Sequence, residues 1–154
     1  MIIIQDTREK PDHCWDFSFF GYETERSKLD TGDYSIKGYS DKICIERKKT
    51  TGEIAINLGF KWKQFNNELL RMCLMPHKLI LCEFPEEYLD FFPNKSGIPK
   101  DKWDTLKMSA GFLKKRFLTI PETYGVDIIF CPSKEQAEQI AIDFLENGVK
   151  ELNE

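Results

Sequence analysis

The sequence predicts an α/β fold: a central mixed β-sheet flanked by α-helices on both faces. Three observations carry this. The runs "KLILCEF" and "VDIIFC" are short and nearly all apolar, as strands are when both of their faces are buried. Each is reached through a segment with a helical period, which is the connection that parallel strands require. The earlier runs "DYSIKG" and "KICIERK" are separated by "GYSD", whose glycine, serine and aspartate favour a tight turn between antiparallel strands.

The elements follow in order. "IIIQD" (residues 2–6) reads as a buried first strand. "PDHCWDFSFFGYE" combines chain breakers with aromatic anchors and reads as a packed loop. Trp15, Phe17, Phe19, Phe20 and Tyr22 in it would belong to the core, to a surface between copies, or to a base-stacking platform. "TERSKLD" alternates and fits another strand. In "KWKQFNNELLRMCLM", Trp62, Phe65, Leu69 and Met72 share an apolar helical stripe, leaving Gln64, Asn67, Glu68 and Arg71 on the other side until Pro76 stops the helix. "EEYLDFF" reads as a short helix or turn. Pro99 fits the first position of a long helix reaching about Thr119, with Gly111 as a close-packing point. Trp103, between Lys102 and Lys107, fits either its buried face or an edge facing DNA or a partner. The last helix opens at Ser133 with Gln136 as a capping box, buries Ala137, Ile140, Ala141, Phe144 and Leu145, and is expected to end at Gly148.

The 154 residues fit one domain, 1–154, with enough chain for a core that needs no disulfide or metal staple. No repeat, low-complexity tract or linker divides it. No apolar run approaches the roughly 20 residues of a membrane span, and "MIII" meets Gln5-Asp6 too soon for a secretion signal. An intracellular protein without a membrane partner is expected. The five cysteines (Cys14, Cys44, Cys73, Cys82, Cys131) are odd in number, lack CxxC spacing and sit mostly in apolar runs, so buried reduced thiols are expected. His13 and His77 lack the spacing of zinc ligands. The net charge of −4 argues against a basic footprint over the whole chain. Charge is uneven, however. Lys95–Arg116 holds seven Lys and Arg against Asp101 and Asp104, a net of +5, whereas Ser133–Glu154 holds two lysines against six acids, a net of −4. The basic stretch is either a solvated helix face or a local phosphate-binding surface.

The hairpin carries the chemistry. Side chains alternate along a strand, so Cys44, Glu46 and Lys48 share one face and Ile43, Ile45 and Arg47 the other. Asp33 opens the partner strand and can meet Glu46. Two carboxylates brought together repel, and one tends to hold a proton. A divalent cation relieves that conflict, and magnesium suits one or two carboxylates with waters and phosphate oxygens. A lysine beside them fits an anionic substrate, where it can orient an attacking water and stabilise charge on phosphorus. Phosphodiester hydrolysis is the chemistry these residues fit. "DTRE" (Asp6 to Glu9), directly after the first buried strand, is a second place for function.

"IQDTREK", "LDTGDYSI", "ICIERKK" and a helix bearing Gln64 together resemble the nuclease domain of the XPF-type structure-specific endonucleases, whose signature is a GD followed by ERKxxxD with an upstream DxRE. "KLILCEF" and "YGVDIIFCPSKEQAEQIAIDFL" extend the resemblance over about the whole chain. It implies a restriction-endonuclease-like fold. It implies that Asp33 and Glu46 bind Mg2+ or Mn2+, that Lys48 is the catalytic lysine, and that Asp6, Arg8 and Arg47 support the metal site or hold the scissile phosphate. Two departures stand out. Gly52 occupies the place of the motif's last aspartate, and Glu53 follows, read as a one-residue insertion with Glu53 (and Glu9 from DTRE) as supporting acids. The family's Gly-Arg before the glutamine helix is here Gly59-Phe60-Lys61, so the arginine's task passes to Lys61 or Lys63. The 154 residues hold no tandem helix-hairpin-helix and no helicase part.

The expected function is a metal-dependent endodeoxyribonuclease acting on branched, flapped or junction DNA in repair, recombination or replication. Lys49, Lys61, Lys63 and Gln64 would contact substrate, and a homodimer or heteromeric partner is compatible. Its rivals are a catalytically silent DNA- or partner-binding member of the same fold, a nuclease without branch preference, and a domain with no nucleic-acid role.

Overall fold

The computed structural model describes residues 1–154 and contains six strands: β1 (Ile2–Gln5), β2 (Glu23–Arg26), β3 (Tyr34–Ile36), β4 (Ile43–Lys48), β5 (His77–Cys82) and β6 (Asp127–Phe130). They form one sheet in the order β2-β1-β3-β4-β5-β6. Strand β1 runs parallel to β2 and antiparallel to β3, and β3 is antiparallel to β4. Strands β4, β5 and β6 are parallel. The sheet is therefore mixed. Helical crossovers join the parallel strands β4, β5 and β6, and the "GYSD" turn joins antiparallel β3 and β4.

Six helices cover it: α1 (Thr51–Leu58), α2 (Trp62–Cys73), α3 (Tyr88–Phe91), α4 (Ala110–Leu118), α5 (Ile120–Tyr124) and α6 (Lys134–Leu152). The alternation of β4 and β5 divides the interior in two. Cys44, Ile80 and Cys82 pack with Ile54, Phe65, Leu69, Phe117 and Ile120 from α1, α2, α4 and α5. Ile43, Ile45, Leu79 and Leu81 pack on the opposite face with Ala137, Ala141 and Leu145 of α6 and with Trp15, Phe17 and Tyr34. Each fully buried Ile, Leu or Phe contributes about 1.5–3 kcal/mol, so both faces are strongly anchored. Trp15 and Phe17 are core residues, while Phe19 stays 90% exposed.

Several expectations are corrected. The long helix from Pro99 is three pieces: a 3₁₀ turn over Lys100–Thr105, an extended break, then α4 capped by Ser109 accepting from the Phe112 N–H at 3.1 Å, and finally α5. Its basic residues consequently do not share one helical face. The run "VDIIFC" is an edge strand rather than a fully buried one, with alternate residues half-buried, because only β5 pairs with it. Gly148 lies inside α6 rather than ending it. A Cβ there would stand 3.2 Å from Ile43 Cδ1, so the glycine lets the helix lie close on β4. Cys73 is exposed at the end of α2, whereas Cys44, Cys82 and Cys131 are buried thiols. Helix α1 was not foreseen at all. No helix is long and apolar enough to cross a membrane.

Candidate active site

Strand register sets the centre of the site. Tyr34 pairs with Ile45 across β3 and β4, so Asp33, one residue before, lies opposite Glu46. The backbone fixes Asp33 tightly: its N–H donates to the Ile45 carbonyl at 2.8 Å, and its Oδ2 accepts from the Arg47 N–H at 2.8 Å. Gly32 just before it has φ +80, and a Cβ there would strike Cys44 Cβ at 2.9 Å. Only glycine fits, which explains the "GD" pair.

On the same face Lys48 Nζ donates to Glu46 Oε2 at 2.8 Å and to Asn57 Oδ1 of α1 at 2.6 Å. The strand thus supplies acid and ammonium, and α1 supplies the group that fixes the ammonium's direction. Glu68 of α2 arrives from above, its Oε1 accepting from the Gly32 N–H at 3.2 Å. Asp33, Glu46 and Glu68 are three carboxylates around one lysine. Burial works against ionisation of Glu46, but the Lys48 charge and hydrogen bonds from Asp33, Lys48 and Glu68 outweigh it and hold its pKa below the ordinary value. Burial and the Glu46 charge raise Asp33 well above its ordinary value, and the same two causes push Glu68 up to about 7. Burial opposes the charged form of Lys48, yet Glu46, then Asp33 and Glu68, raise its pKa. The cluster therefore favours an ionised Glu46 and a charged Lys48, while burial and the Glu46 charge favour the protonated forms of Asp33 and Glu68.

A divalent cation would relieve the repulsion between these carboxylates. No group of three or more Asp, Glu, His or Cys side chains is placed to enclose an ion. A cation held by Asp33 and Glu46 would keep most of its ligands as water or phosphate oxygen, the coordination magnesium favours. The donor set fits the group the sequence implied.

The other expected residues are distributed differently. The Arg47 side chain points to the opposite face of β4. There it is buried, donating to Glu9 Oε2 at 2.7 Å and to Glu83 Oε1 at 2.7 Å and lying 4.9 Å from the Trp15 ring. Its guanidinium is saturated beneath the sheet and does not face the Glu46 cluster. Only its backbone N–H serves Asp33. Glu9 sits in that same buried network, also accepting from the Tyr34 hydroxyl at 2.9 Å. Asp6 is fully buried and organises the following loop: Oδ1 accepts from the Leu29 N–H at 2.8 Å, and Oδ2 pairs with Arg8. The Arg8 side chain is 62% exposed. With Lys28 and Arg71 it lines an open polar cleft that also includes Thr7, Leu29 and Asp30. Glu53 lies in the first turn of α1, which Thr50 caps by accepting from the Glu53 N–H at 3.3 Å. Burial raises its pKa, while the nearby Lys48 and Lys49 oppose this. Gly52, at the motif's aspartate position, donates its N–H to the Ser96 carbonyl at 3.1 Å; a Cβ would stand 2.5 Å from that oxygen. Lys61, Lys63 and Gln64 are exposed at the start of α2, and Lys49 is half-buried.

Sequence reasoning missed Asn57, Glu68, Lys28 and Arg71. Gln64 and Glu68 stand four apart, the spacing that places both on one side of a helix. That was the available signal.

The ERCC4 domain matches residues 5–142. The chain belongs to the ERCC4-domain family. Among solved structures, XPF from Aeropyrum pernix aligns with this ERCC4 domain at TM-score 0.65 and 17% identity, covering 95% of this chain and 60% of that one. XPF from Aeropyrum pernix in complex with DNA aligns at TM-score 0.63 and 18% identity, covering 96% and 64%. The fold is thus that of the XPF nuclease domain, restriction-endonuclease-like as the sequence predicted, and the ERCC4 domain spans under two thirds of those chains. A comparison with curated proteins gave no match.

Proposed function

We propose that this ERCC4 domain is a divalent-metal-dependent DNA endonuclease. The observation that carries the reading is the meeting of Asp33 and Glu46 from adjacent strands with the Lys48 ammonium 2.8 Å from Glu46. Asp33 and Glu46 would hold magnesium or manganese. When bound, the cation supplies a Lewis acid that eases deprotonation of water and takes up charge developing on the phosphate. Lys48 is kept protonated by its acidic neighbours, so its role is to orient water and stabilise negative charge rather than to abstract a proton. Asn57 holds Nζ in direction. Arg8, Lys28 and Arg71 provide a cationic cleft for the phosphodiester backbone, and Lys49, Lys61, Lys63 and Gln64 extend it. Asp6, Glu9 and Arg47 position loops and strands around the cluster, and Glu53 closes the first turn of α1. Branched or flapped DNA within the cell is the substrate this reading favours.

The test is cleavage of end-labelled linear, nicked, flap and four-way DNA with Mg2+ or Mn2+, with Lys48→Ala and Asp33→Ala as controls. Wild type is expected to cut, with a preference for the flap, and each variant to lose about 10²–10³-fold in rate. Equal rates for all three proteins would end the proposal. Retained DNA binding without cleavage in either metal would assign a silent member instead.

A further inference from the structure

Beside the Glu46 cluster lies an apolar cleft of about 750 Å³ that the cleavage reading leaves unused. Ile56 of α1, Phe60 just beyond its end, Leu106, Lys107 and Met108 from the extended break, and Phe112 of α4 line it. Three of these side chains are unusually open for their type: Phe60 is 83% exposed, Phe112 48% and Ile56 41%. Gly59 turns the chain here. A Cβ on it would meet the Ala55 carbonyl at 2.8 Å, so the glycine both ends α1 and throws Phe60 outward.

We infer that this cleft receives an unpaired base of the DNA strand being cut. This rests on the nuclease reading above. Position is the first argument. Asn57 touches Lys48 Nζ at 2.6 Å, and Phe60 follows three residues later. On α1, Asn57 lies between Ile56 and Leu58, which both line the cleft, so one helix serves the lysine and the cleft wall. Charge is the second. Lys107 lines the cleft, and Lys61 directly follows Phe60. Exposed aromatic rings beside lysines are the combination that binds single-stranded nucleic acid, rings against bases and ammonium groups against phosphates. Polar groups at the wall, Thr105 and Ser109, can meet a base edge.

The experiment uses the full chain, Ca2+ in place of Mg2+ to hold cleavage off, and DNA carrying 2-aminopurine in a single-stranded flap, against a fully paired duplex of the same length. Phe60→Ala and Phe112→Ala are expected to weaken flap binding about tenfold, leave duplex binding within twofold, and abolish the change in 2-aminopurine emission. Phe60→Trp should restore it. Phe60 is largely and Phe112 about half in solvent, and unchanged thermal unfolding verifies that the variants fold. If the variants bind flap as wild type does while wild type still cuts DNA, the inference fails and the nuclease reading stands. If wild type binds no DNA at all, both fail. Sedimentation showing a dimer that Phe60→Ala dissociates would assign the cleft to a second copy, and tight binding of an acidic protein in place of DNA would likewise overturn it.

Discussion

At neutral pH Glu68 is divided between protonated and ionised forms, because burial and the Glu46 charge push its pKa up to about 7 from an ordinary 4.5. A pKa raised by folding means that the folded chain holds this proton more tightly than the unfolded chain. The contribution is fully present below about pH 4.5 and is lost as pH rises through 7. Without divalent cation, stability should fall by about 1–3 kcal/mol between those limits. Glu68→Gln, which cannot ionise, should flatten the slope. Urea unfolding in EDTA at a series of pH values measures it, and parallel profiles would refute the assignment. Asp33, Glu46 and Lys48 were legible in the sequence because a strand's period of two leaves no freedom about which residues share a face. Glu68 was not, since the helical period says only that it opposes Leu69 and Met72. It cannot say that part of α2's polar side covers Asp33 instead of water. Arg47 shows the converse. Its motif position suggests the phosphate, but its parity in β4 sends the guanidinium to Glu9 and Glu83.

The junction between β4 and α1 is where the local pattern and the motif disagree. Thr50-Thr51-Gly52-Glu53 spells a capping box, and the structure uses its first half: Thr50 caps the helix by accepting from the Glu53 N–H. Reading the stretch as a displaced motif aspartate hid the helix. The same junction explains the glycine. Restoring the motif by Gly52→Asp would force a Cβ to 2.5 Å from the Ser96 carbonyl and set a carboxylate against that oxygen. The variant should lose about 2–4 kcal/mol of stability, seen as a lowered urea midpoint, and should gain no cleavage. A variant as stable as wild type and more active would show that position 52 still belongs to the site. The 99–119 stretch was misjudged for a related reason. Pro99 and a basic, periodic sequence favour a helix, but Ser109 offers a second start, and the chain takes that one.

Across the whole molecule, a net charge of −4 coexists with a cationic cleft and a basic segment of +5. Binding should therefore depend on a few local contacts. The logarithm of the association constant should fall against the logarithm of salt with a slope of about −3 to −5, corresponding to roughly four or five phosphates. Fluorescence anisotropy between 50 and 200 mM salt, values of the kind over which such effects are pronounced, reads this directly; a slope near zero would remove DNA from the account. Fold class and both faces of the sheet were legible because the apolar runs were long enough to leave few topologies. The order of β1 and β2 was not, since nothing in "TERSKLD" says which neighbour it joins or in which direction.

All four residues of β2 are exposed, and three of them, Glu23, Glu25 and Arg26, are charged. They occupy one outer margin of the sheet. A strand margin with unpaired amides invites another chain to add on, and rows of charge make that addition costly. This margin is thus guarded against amyloid-like growth through its open backbone.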